Sequence, residues 1–408
     1  MRLEPARRFV GLVRPAHGGA LLRLGPQPLS LAFSAPSRGV WATGIGITAE
    51  GGASLPASTL EWVEPPPAVP PGPYFGGWGF DAQRGWAGFQ DERWVLPEVL
   101  AWWDGARAWV AAFGPEGTSP SALRDRLAQI EEVEPVTDGA AVERKHSGNR
   151  ADFRRLVDDA VSAIRQGQFS KVVVARAIEV TGSRELNERA LLKSLEVRNQ
   201  QSFTFLVRGN DGSAFIGSSP ELLCEVKDGV LTADALAGTS SLDGVEALLR
   251  SDKDLREHRE VVDGIRASLG PFVTALENAA TPSLRKLPNV VHLHTSIRAE
   301  LRPGVEALEV ARALSPTAAV CGAPRAPARE WLRAHEGFAR GWYAGAVGFT
   351  GPNGTMLSVA IRSALVRGNL ATVFVGAGIV EGSTAEGEWV ETEQKARTLL
   401  SALGVDHA

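Results

Sequence analysis

Two ionisable side chains near strand ends and turns are the first candidates for chemistry in this sequence. Lys171 begins an otherwise apolar, β-branched segment, and Glu221 stands between a proline turn and an apolar segment. Each has an ordinary interpretation, in which the lysine reaches solvent from a strand end and the glutamate is a turn residue. If the fold buries them instead, burial favours the neutral amine and the protonated carboxylic acid. The two side chains would then be a base and an acid.

Carboxylates on two predicted helices are the next candidates. Glu257 borders the apolar stripe of a helix predicted from about Asp252 to Leu269. Near the C-terminus, Glu388, Glu391 and Lys395 share one helical face, so that Glu391 and Lys395 form either a surface ion pair or part of a site. Carboxylates from separate helices could hold Mg²⁺, which takes oxygen ligands and usually shares them with substrate and water.

Three further features could bind an anion or a metal. Arg362, in a strand predicted over residues 357–366, is either a solvent-facing arginine or a bidentate carboxylate clamp. The segment Gly376-Ala377-Gly378 lacks the full spacing of a dinucleotide loop, but its backbone N–H groups could approach an anion closely. His292 and His294 alternate on a predicted strand and face one side. They could bind zinc, although no third ligand is indicated.

Composition excludes several classes of protein. The chain has 408 residues, of which 44% are hydrophobic, and this is enough for a large core. A net charge of −4 gives no basic surplus for phosphates, so no nucleic-acid partner is expected. Two cysteines exclude a disulfide framework and fit a cytoplasmic protein. No segment approaches about 18 uninterrupted apolar residues, so we expect no membrane span.

Elements of two kinds must position these side chains. Residues 1–145 are predicted to be β-rich and irregular, and their clustered tryptophans form either an aromatic core or a sugar-binding platform. Later in the chain, Asn210-Asp211-Gly212 and Lys227-Asp228-Gly229 predict two β-hairpins. Hairpins dominate over β-α-β alternation, which predicts an α+β fold with antiparallel sheets and helices packed outside. Apart from the helix containing Glu257, the predicted helices are 149–166 and 387–403, and the predicted strands are 170–180, 202–207, 214–217, 222–226, 230–233, 290–294, 345–349, 357–366 and 371–375.

Nine sequence fragments, taken in order along the chain, resemble the motifs of a known enzyme family. In order, they are FSKVVVAR, FIGSSPELL, ALAGT, SDKDLREH, VVHLHTS, LSPTAAVCGAPR, WYAGAVGF, VAIRSALV and VGAGIVEGSTAEGEWVETEQK. The set resembles the chorismate-utilising enzymes, which have the anthranilate synthase component I-like fold, and within them the isochorismate synthases. The resemblance is dense over about residues 150–405 and thinner before, where YFGGWGFD contributes. It implies that residues 1–145 are a divergent β-rich part of the same fold and that 146–408 are the chorismate-binding catalytic region.

The resemblance implies a reaction and a set of site residues. In the implied reaction, which depends on Mg²⁺, water adds at ring carbon 2 of chorismate while the hydroxyl on carbon 4 leaves, giving isochorismate. Lys171 matches the general base, Glu221 the general acid, and Glu257 and Glu391 the Mg²⁺ ligands, with Glu388 close behind them. The substrate-binding positions implied in the same way are Ala237, Gly238, Thr239, His292, Tyr343, Arg362, Gly376, Ala377, Gly378 and Lys395.

The nucleophile distinguishes the branches of the family. Ammonia-using relatives carry glutamine at the position of Lys171, and relatives that form a covalent intermediate carry lysine at the position of Ala237. We therefore expect water as the nucleophile, no glutamine amidotransferase subunit, and a monomer or homodimer, as in relatives. Salicylate synthases, which continue by eliminating pyruvate, share Lys171 and Glu221 and are the alternative. A homologue that only binds chorismate-like dianions would lack the base, the acid or a metal ligand, whereas all four are present.

Two departures from the isochorismate synthase pattern have no assigned chemical role. Relatives commonly read H-P-T-P where this chain has Ser315-Pro316-Thr317-Ala318, and the loop after Gly238 is shorter than in many of them. Either change could alter helix packing near the substrate. The segment 319–324 nevertheless resembles the isochorismate synthases more than the salicylate synthases. In relatives the product feeds menaquinone, siderophore or salicylate pathways.

Overall fold

The computed structural model describes residues 8–15, 28–52, 54–55, 59–70, 72–103, 106–129, 142–146, 148–288 and 290–405. Within these residues, the strands form two large sheets that are antiparallel at every pairing except β1 with β5. Sheet I consists of β1 (Arg8–Pro15), β2 (Leu29–Ala35), β3 (Val40–Ile45), β5 (Thr59–Trp62), β8 (Val99–Trp103), β9 (Ala108–Pro115), β10 (Val142–His146), β11 (Lys171–Gly182), β12 (Phe203–Arg208), β13 (Ala214–Ser219), β19 (Gly322–Ala323), β22 (Ser363–Arg367) and β23 (Leu370–Ile379). Sheet II consists of β4 (Ala49–Gly51), β6 (Tyr74–Trp78), β7 (Glu92–Leu96), β14 (Leu222–Lys227), β15 (Val230–Ser240), β16 (Val273–Asn278), β17 (Ser283–Lys286), β18 (Val291–Leu301), β20 (Ala346–Gly351) and β21 (Gly354–Val359).

Helices cover the outer faces of both sheets. They are α1 (Pro120–Ala128), α2 (Arg150–Arg165), α3 (Glu188–Arg198), α4 (Val245–Arg250), α5 (Asp252–Leu269), α6 (Ala307–Leu314), α7 (Arg325–His335) and α8 (Ala385–Ala402). Helices α3 and α8 pack on Sheet I, and α5 and α6 pack on Sheet II. The predicted α+β architecture of large antiparallel sheets between outer helices is confirmed. No helix in the described ranges combines the length and the apolar character needed to cross a bilayer.

The main core lies between the two sheets. Phe33 of Sheet I packs edge-on against Phe349 of Sheet II, with ring centroids 5.6 Å apart. Most of the tryptophans before residue 145 belong to this core or pack against it. Two of them, Trp94 and Trp102, are fully buried. Strands from before residue 145 extend both sheets, as β2 pairs with β12 and β6 pairs with β20. A functional division at residue 145 stays a prediction.

Local sequence signals account for the hairpins and helix starts near the site. The predicted hairpin turn between β14 and β15 has positive φ at both Asp228 and Gly229, as a two-residue type I′ turn requires. Ser251 caps α5 by accepting a hydrogen bond from the backbone N–H of Asp254 at 3.2 Å. These signals fix the start of the helix that carries Glu257.

The prediction of one strand over residues 357–366 is wrong. The chain leaves Sheet II at Val359, turns, and enters Sheet I at Ser363. Arg362 lies in this turn with a φ of 51°, in the left-handed region that non-glycine residues rarely adopt. Apolar residues on both sides of the turn are buried, so the sequence pattern shows no interruption.

Candidate active site

A cleft lined by strands of both sheets gathers most of the side chains singled out in the sequence. Sheet I contributes β11 and β23, Sheet II contributes β15 and β18, and α5 and α8 each contribute a charged residue. The predicted site residues that line it are Glu221, Ala237, Gly238, Thr239, Glu257, His292, Tyr343, Arg362, Gly376, Gly378 and Lys395. The remaining predicted residues, which are Lys171, Ala377, Glu388 and Glu391, are not part of that lining.

Lys171 lies directly beneath the cleft wall. Its side chain has no exposed area, so the interpretation as a solvent-facing lysine is excluded. Its Nζ is 3.1 Å from Oε1 of Glu257, although the angles fall short of a hydrogen bond. Gly378, which also lines the cleft, packs against this pair, because a Cβ at that position would lie 2.3 Å from Oε1 of Glu257 and 3.2 Å from Cε of Lys171. Glycine therefore leaves the two side chains room to lie together.

Glu221 is a protonated carboxylic acid at neutral pH. It is only 2% exposed, and burial, followed by the negative charge of Asp234, raises its pKa to about 8. The hydroxyl of Thr317 lies 3.5 Å from Oε1 of the carboxyl group, at the outer limit of hydrogen-bond distance. Its backbone carbonyl accepts a hydrogen bond from the N–H of Val359, which ties it to the edge of Sheet II. Because the Glu221 side chain is buried, the interpretation as an ordinary turn residue is excluded.

Arg362 presents a buried cation to the cleft. Burial lowers its pKa to about 10, which still leaves the guanidinium charged at neutral pH. Its Nη2 lies 3.2 Å from Nε2 of His292, and burial together with the charge of Arg362 holds the pKa of that imidazole well below its usual value. The neutral histidine accepts this hydrogen bond, while its Nδ1 lies 3.0 Å from the hydroxyl of Thr239. Within the described ranges no carboxylate lies at ion-pair distance from Arg362, so the charge is available to an anion.

Strand β23 brings a phenol and an ammonium group to the same end of the cleft. A Cβ on Gly376 would lie 2.8 Å from the hydroxyl of Tyr343, whose pKa burial raises to about 12. Lys395 donates to the carbonyl of Gly376 at 3.0 Å. Because side chains alternate across a strand, Ala377 faces the opposite side from the two glycines, which explains why it does not line the cleft.

Acidic side chains of α5 and α8 lie close enough to influence one another. Glu391 is 2.5 Å from the ammonium of Lys395. Burial, together with the charge of Glu391, raises the pKa of Glu388, whose carboxylate accepts from Lys253 at 2.9 Å. Burial alone would raise the pKa of Glu257, but the positive charges of Lys171 and Lys395 hold it below its usual value. In this part of the site, the negative charges of three carboxylates thus lie next to the positive charges of three lysines.

The donor set at this end of the cleft fits Mg²⁺. Carboxylate oxygens arrive from two helices, and Mg²⁺ prefers oxygen ligands. In the part of the chain that the structure describes, no group of three or more acidic, histidine or cysteine side chains encloses a metal ion by itself. Such an ion would therefore share its coordination with substrate and water, as Mg²⁺ commonly does. Zinc has less support, because His292 and His294 hydrogen-bond to different partners.

Besides several apolar residues of the cleft lining, sequence reasoning missed three polar residues that influence the site. Asp234 interrupts an alternating apolar strand, and this was the one signal available for it. Thr317 was noted only as part of a departure from a family pattern, without its contact to Glu221. Lys253 lies on α5 one turn before Glu257, a spacing that could have placed it on the same face.

Comparisons with known proteins agree on one family. Residues 67–404 match the family described as "Chorismate binding enzyme". The salicylate biosynthesis isochorismate synthase of Pseudomonas aeruginosa is 38% identical over 268 residues, which is 62% of this chain but only 56% of that protein. The isochorismate synthase MenF of Haemophilus influenzae is 34% identical over 321 residues, 75% of this chain and 74% of that protein. The solved structure of MenF, the menaquinone-specific isochorismate synthase of Escherichia coli, superposes with a TM-score of 0.82 at 25% identity, covering 98% of this chain and 95% of that one.

Proposed function

The chain belongs to the chorismate-binding enzyme family, and from this premise we propose that it is an isochorismate synthase, which interconverts chorismate and isochorismate. One observation carries the proposal. A buried, protonated glutamic acid, Glu221, lines the cleft between the two sheets, and a fully buried lysine, Lys171, lies behind the lining with its Nζ 3.1 Å from the cleft residue Glu257. Exchanging a hydroxyl group between ring carbons needs one group that takes a proton and one that gives a proton.

Lys171 and Glu221 divide the proton transfers. The reaction requires Lys171 in its neutral form, so the resting ammonium loses its proton before turnover. The neutral amine takes a proton from a water molecule, whose oxygen bonds to ring carbon 2 of chorismate. Both double bonds of the ring diene shift, from C1=C2 and C5=C6 to C1=C6 and C4=C5, as the bond between carbon 4 and its hydroxyl breaks. The carboxyl of Glu221 gives its proton to the departing hydroxyl, which leaves as water. The proton on Lys171 must then return to Glu221 before the next turnover, since overall one water is consumed and one is released.

The cations of the cleft would bind the two carboxylates of the substrate. Arg362 offers a buried guanidinium beside a neutral imidazole, and guanidinium groups bind carboxylates with two parallel hydrogen bonds. Tyr343 adds a phenolic O–H at the same end of β23. Lys395 supplies a second positive charge. Binding a dianion at two points fixes the ring between base and acid, which accounts for much of an enzyme's advantage over solution.

We propose Mg²⁺ as the metal, held by Glu257 and Glu391 with Glu388 behind them. When bound, the ion would supply positive charge to the ring carboxylate and orient it. Lys253 holds the buried Glu388 carboxylate at 2.9 Å and so keeps this acidic end ordered.

Water is the proposed nucleophile. The side chain at residue 237 is a buried methyl group, so this position offers no amine for a covalent adduct. A glutamine amidotransferase subunit would then have no role, and we propose that the chain acts without one, as a monomer or homodimer.

The test is to incubate the purified protein with chorismate and Mg²⁺, without any ammonia source, and to resolve the products by liquid chromatography and mass spectrometry. We expect a new species with the mass of chorismate and no free pyruvate. Salicylate together with pyruvate would move the assignment to a salicylate synthase. No conversion, even after ammonium is added, would contradict the enzymatic proposal and favour a chorismate-binding protein.

A further inference from the structure

A second polar network lies one step outside the cleft, on the same face of Sheet II. Asp234 is two positions before Leu236, a cleft residue of β15, so both side chains point to one side of the strand. Asp234 is only 2% exposed, and its Oδ1 lies 2.8 Å from Nε2 of His294 on β18. A buried carboxylate is rare without such partners, and none of the steps above uses this one.

Arg285 connects this network to the backbone of the acid. One nitrogen of its guanidinium, Nη2, lies 3.2 Å from Oδ2 of Asp234. The other, Nη1, donates a hydrogen bond of 3.0 Å to the carbonyl of Pro220, the residue before Glu221. Arg285 belongs to β17, a short strand that pairs with β18 in Sheet II. From this position it contacts the turn that contains Glu221.

The charge of Asp234 is only partly compensated. His294 and Arg285 keep the pKa of Asp234 below its usual value against the effect of burial, so the carboxylate is ionised. Its Oδ2 nevertheless accepts no hydrogen bond of good geometry. The charged groups that act on Glu221 include the anion of Asp234 on β15, the ammonium of Lys171 on β11, the ammonium of Lys395 on α8 and the buried guanidinium of Arg362. Of these four, Asp234 alone opposes ionisation of the acid.

We propose that Asp234, Arg285 and His294 form a positioning network for the general acid, in which Arg285 fixes the backbone before Glu221 and the fixed negative charge of Asp234 keeps Glu221 protonated. The proposal deepens the role of Glu221 in the proposed function. It assigns a purpose to a buried charge that would otherwise destabilise the fold. It also predicts that the two charged members act on Glu221 in opposite directions.

The test is an infrared titration of the C=O stretching band of protonated Glu221, identified by its loss in Glu221→Gln. In the wild-type protein we expect this band to disappear as the pH is raised, with a midpoint at about pH 8. Asp234→Asn keeps the hydrogen-bond acceptor for His294 and removes the charge, so the midpoint should fall by about one pH unit. Arg285→Ala leaves Asp234 less compensated, so the midpoint should rise, and Arg285→Lys should restore it in part.

Lys286→Gln is the matched control, because this exposed neighbour on β17 also loses one positive charge and solvent screens it. An unchanged midpoint in Asp234→Asn overturns the proposal. If that variant does not fold, the Arg285 variants decide alone, and a midpoint in Arg285→Ala that falls or stays unchanged overturns it. The titration needs no substrate. A wild-type protein that forms no isochorismate would therefore contradict the proposed function and leave this test intact.

Discussion

A carboxylic acid that keeps its proton at neutral pH must be shielded from water and from positive charge. Glu221 satisfies the first condition by burial, and Asp234 offsets the second by opposing the charges of Lys171 and Lys395. The resulting pKa of about 8 has a consequence for folding as well as for catalysis. Because the unfolded chain ionises the same group near its ordinary value of 4.5, the two states bind different numbers of protons over a wide pH range.

The first prediction concerns this linkage. Between about pH 5 and about pH 8 the folded protein retains the Glu221 proton and the unfolded chain has lost it, so this group makes the free energy of unfolding fall as pH rises, by at most about 1.4 kcal/mol per pH unit. Glu221→Gln should lack this contribution. Urea denaturation of both proteins across that range measures the difference. Glu277→Gln, at an exposed position on β16, is the control and should retain the wild-type slope. Parallel slopes in the wild type and Glu221→Gln would contradict the raised pKa.

The second prediction concerns the base. Lys171→Ala should reduce turnover by about 1,000-fold or more, because no other described amine lies beneath Gly378 to take the proton from water. Chorismate binding should persist, since Arg362 and Lys395 are unchanged. Steady-state kinetics and equilibrium binding separate the two effects. The exposed Lys227→Ala is a matched control, and wild-type turnover in Lys171→Ala would exclude this assignment.

Residue types and family fragments were enough to single out the proposed base, the proposed acid and the candidate metal ligands. They could not show which side chains are buried or paired. Lys171 at a strand start is equally compatible with solvent and with burial, and only the packing of α5 and β23 around it decides. Asp234, in contrast, was not singled out from the sequence at all. Its effect on Glu221 depends on the approach of β14 and β15, which no local pattern encodes.

At the scale of elements, β23 shows how a strand can leave room for buried side chains packed against it. Gly376 and Gly378 face the cleft at alternate positions, and each has a functional side chain where a Cβ would be. A methyl group at residue 378 would lie 2.3 Å from Oε1 of Glu257, far inside van der Waals contact. The two side chains next to it would have to separate, although the strand itself could still form.

Gly378→Ala should therefore reduce kcat/KM by about 100-fold, the order of loss expected when a catalytic group moves by about 1 Å. Thermal unfolding should change much less than activity. Gly270→Ala is the control, because that glycine has a φ of −46° and no atom within 4 Å of an added Cβ. Activity near that of the wild type in Gly378→Ala would show that the Lys171–Glu257 geometry does not matter.

The sequence predicted three of the eight helices in the described residues and made no prediction for α1, α3, α4, α6 and α7, and one predicted strand is wrong. Helix α5 and the two hairpins follow from capping and turn residues that act within a few positions. The break between β21 and β22 does not, because the chain there passes from one sheet to the other through residues that are buried on both sides. Burial in a two-sheet core hides the turn, and the left-handed φ of Arg362 is imposed by tertiary structure.

The whole molecule joins the proposed metal ligands and the anion-binding groups across two sheets. Glu257 lies on α5, which packs on Sheet II, and Glu391 lies on α8, which packs on Sheet I. Arg362 lies where the chain crosses between the sheets. A substrate held by both sheets and by a shared metal ion would link these parts, so that each ligand favours the arrangement that binds the other.

We therefore expect Mg²⁺ and chorismate together to raise the melting temperature of the wild-type protein by more than the sum of their separate effects. A ligand at about 100 times its Kd stabilises the folded state by about 2.7 kcal/mol, and coupling between two ligands adds to their combined effect. Glu257→Gln should lose the shift caused by Mg²⁺ and the excess, whereas Asp263→Asn, at an exposed position on the same helix, should keep both. Differential scanning calorimetry in fixed buffer makes the comparison. Strictly additive shifts, or isochorismate formation that persists in EDTA, would contradict a metal shared between α5, α8 and the substrate.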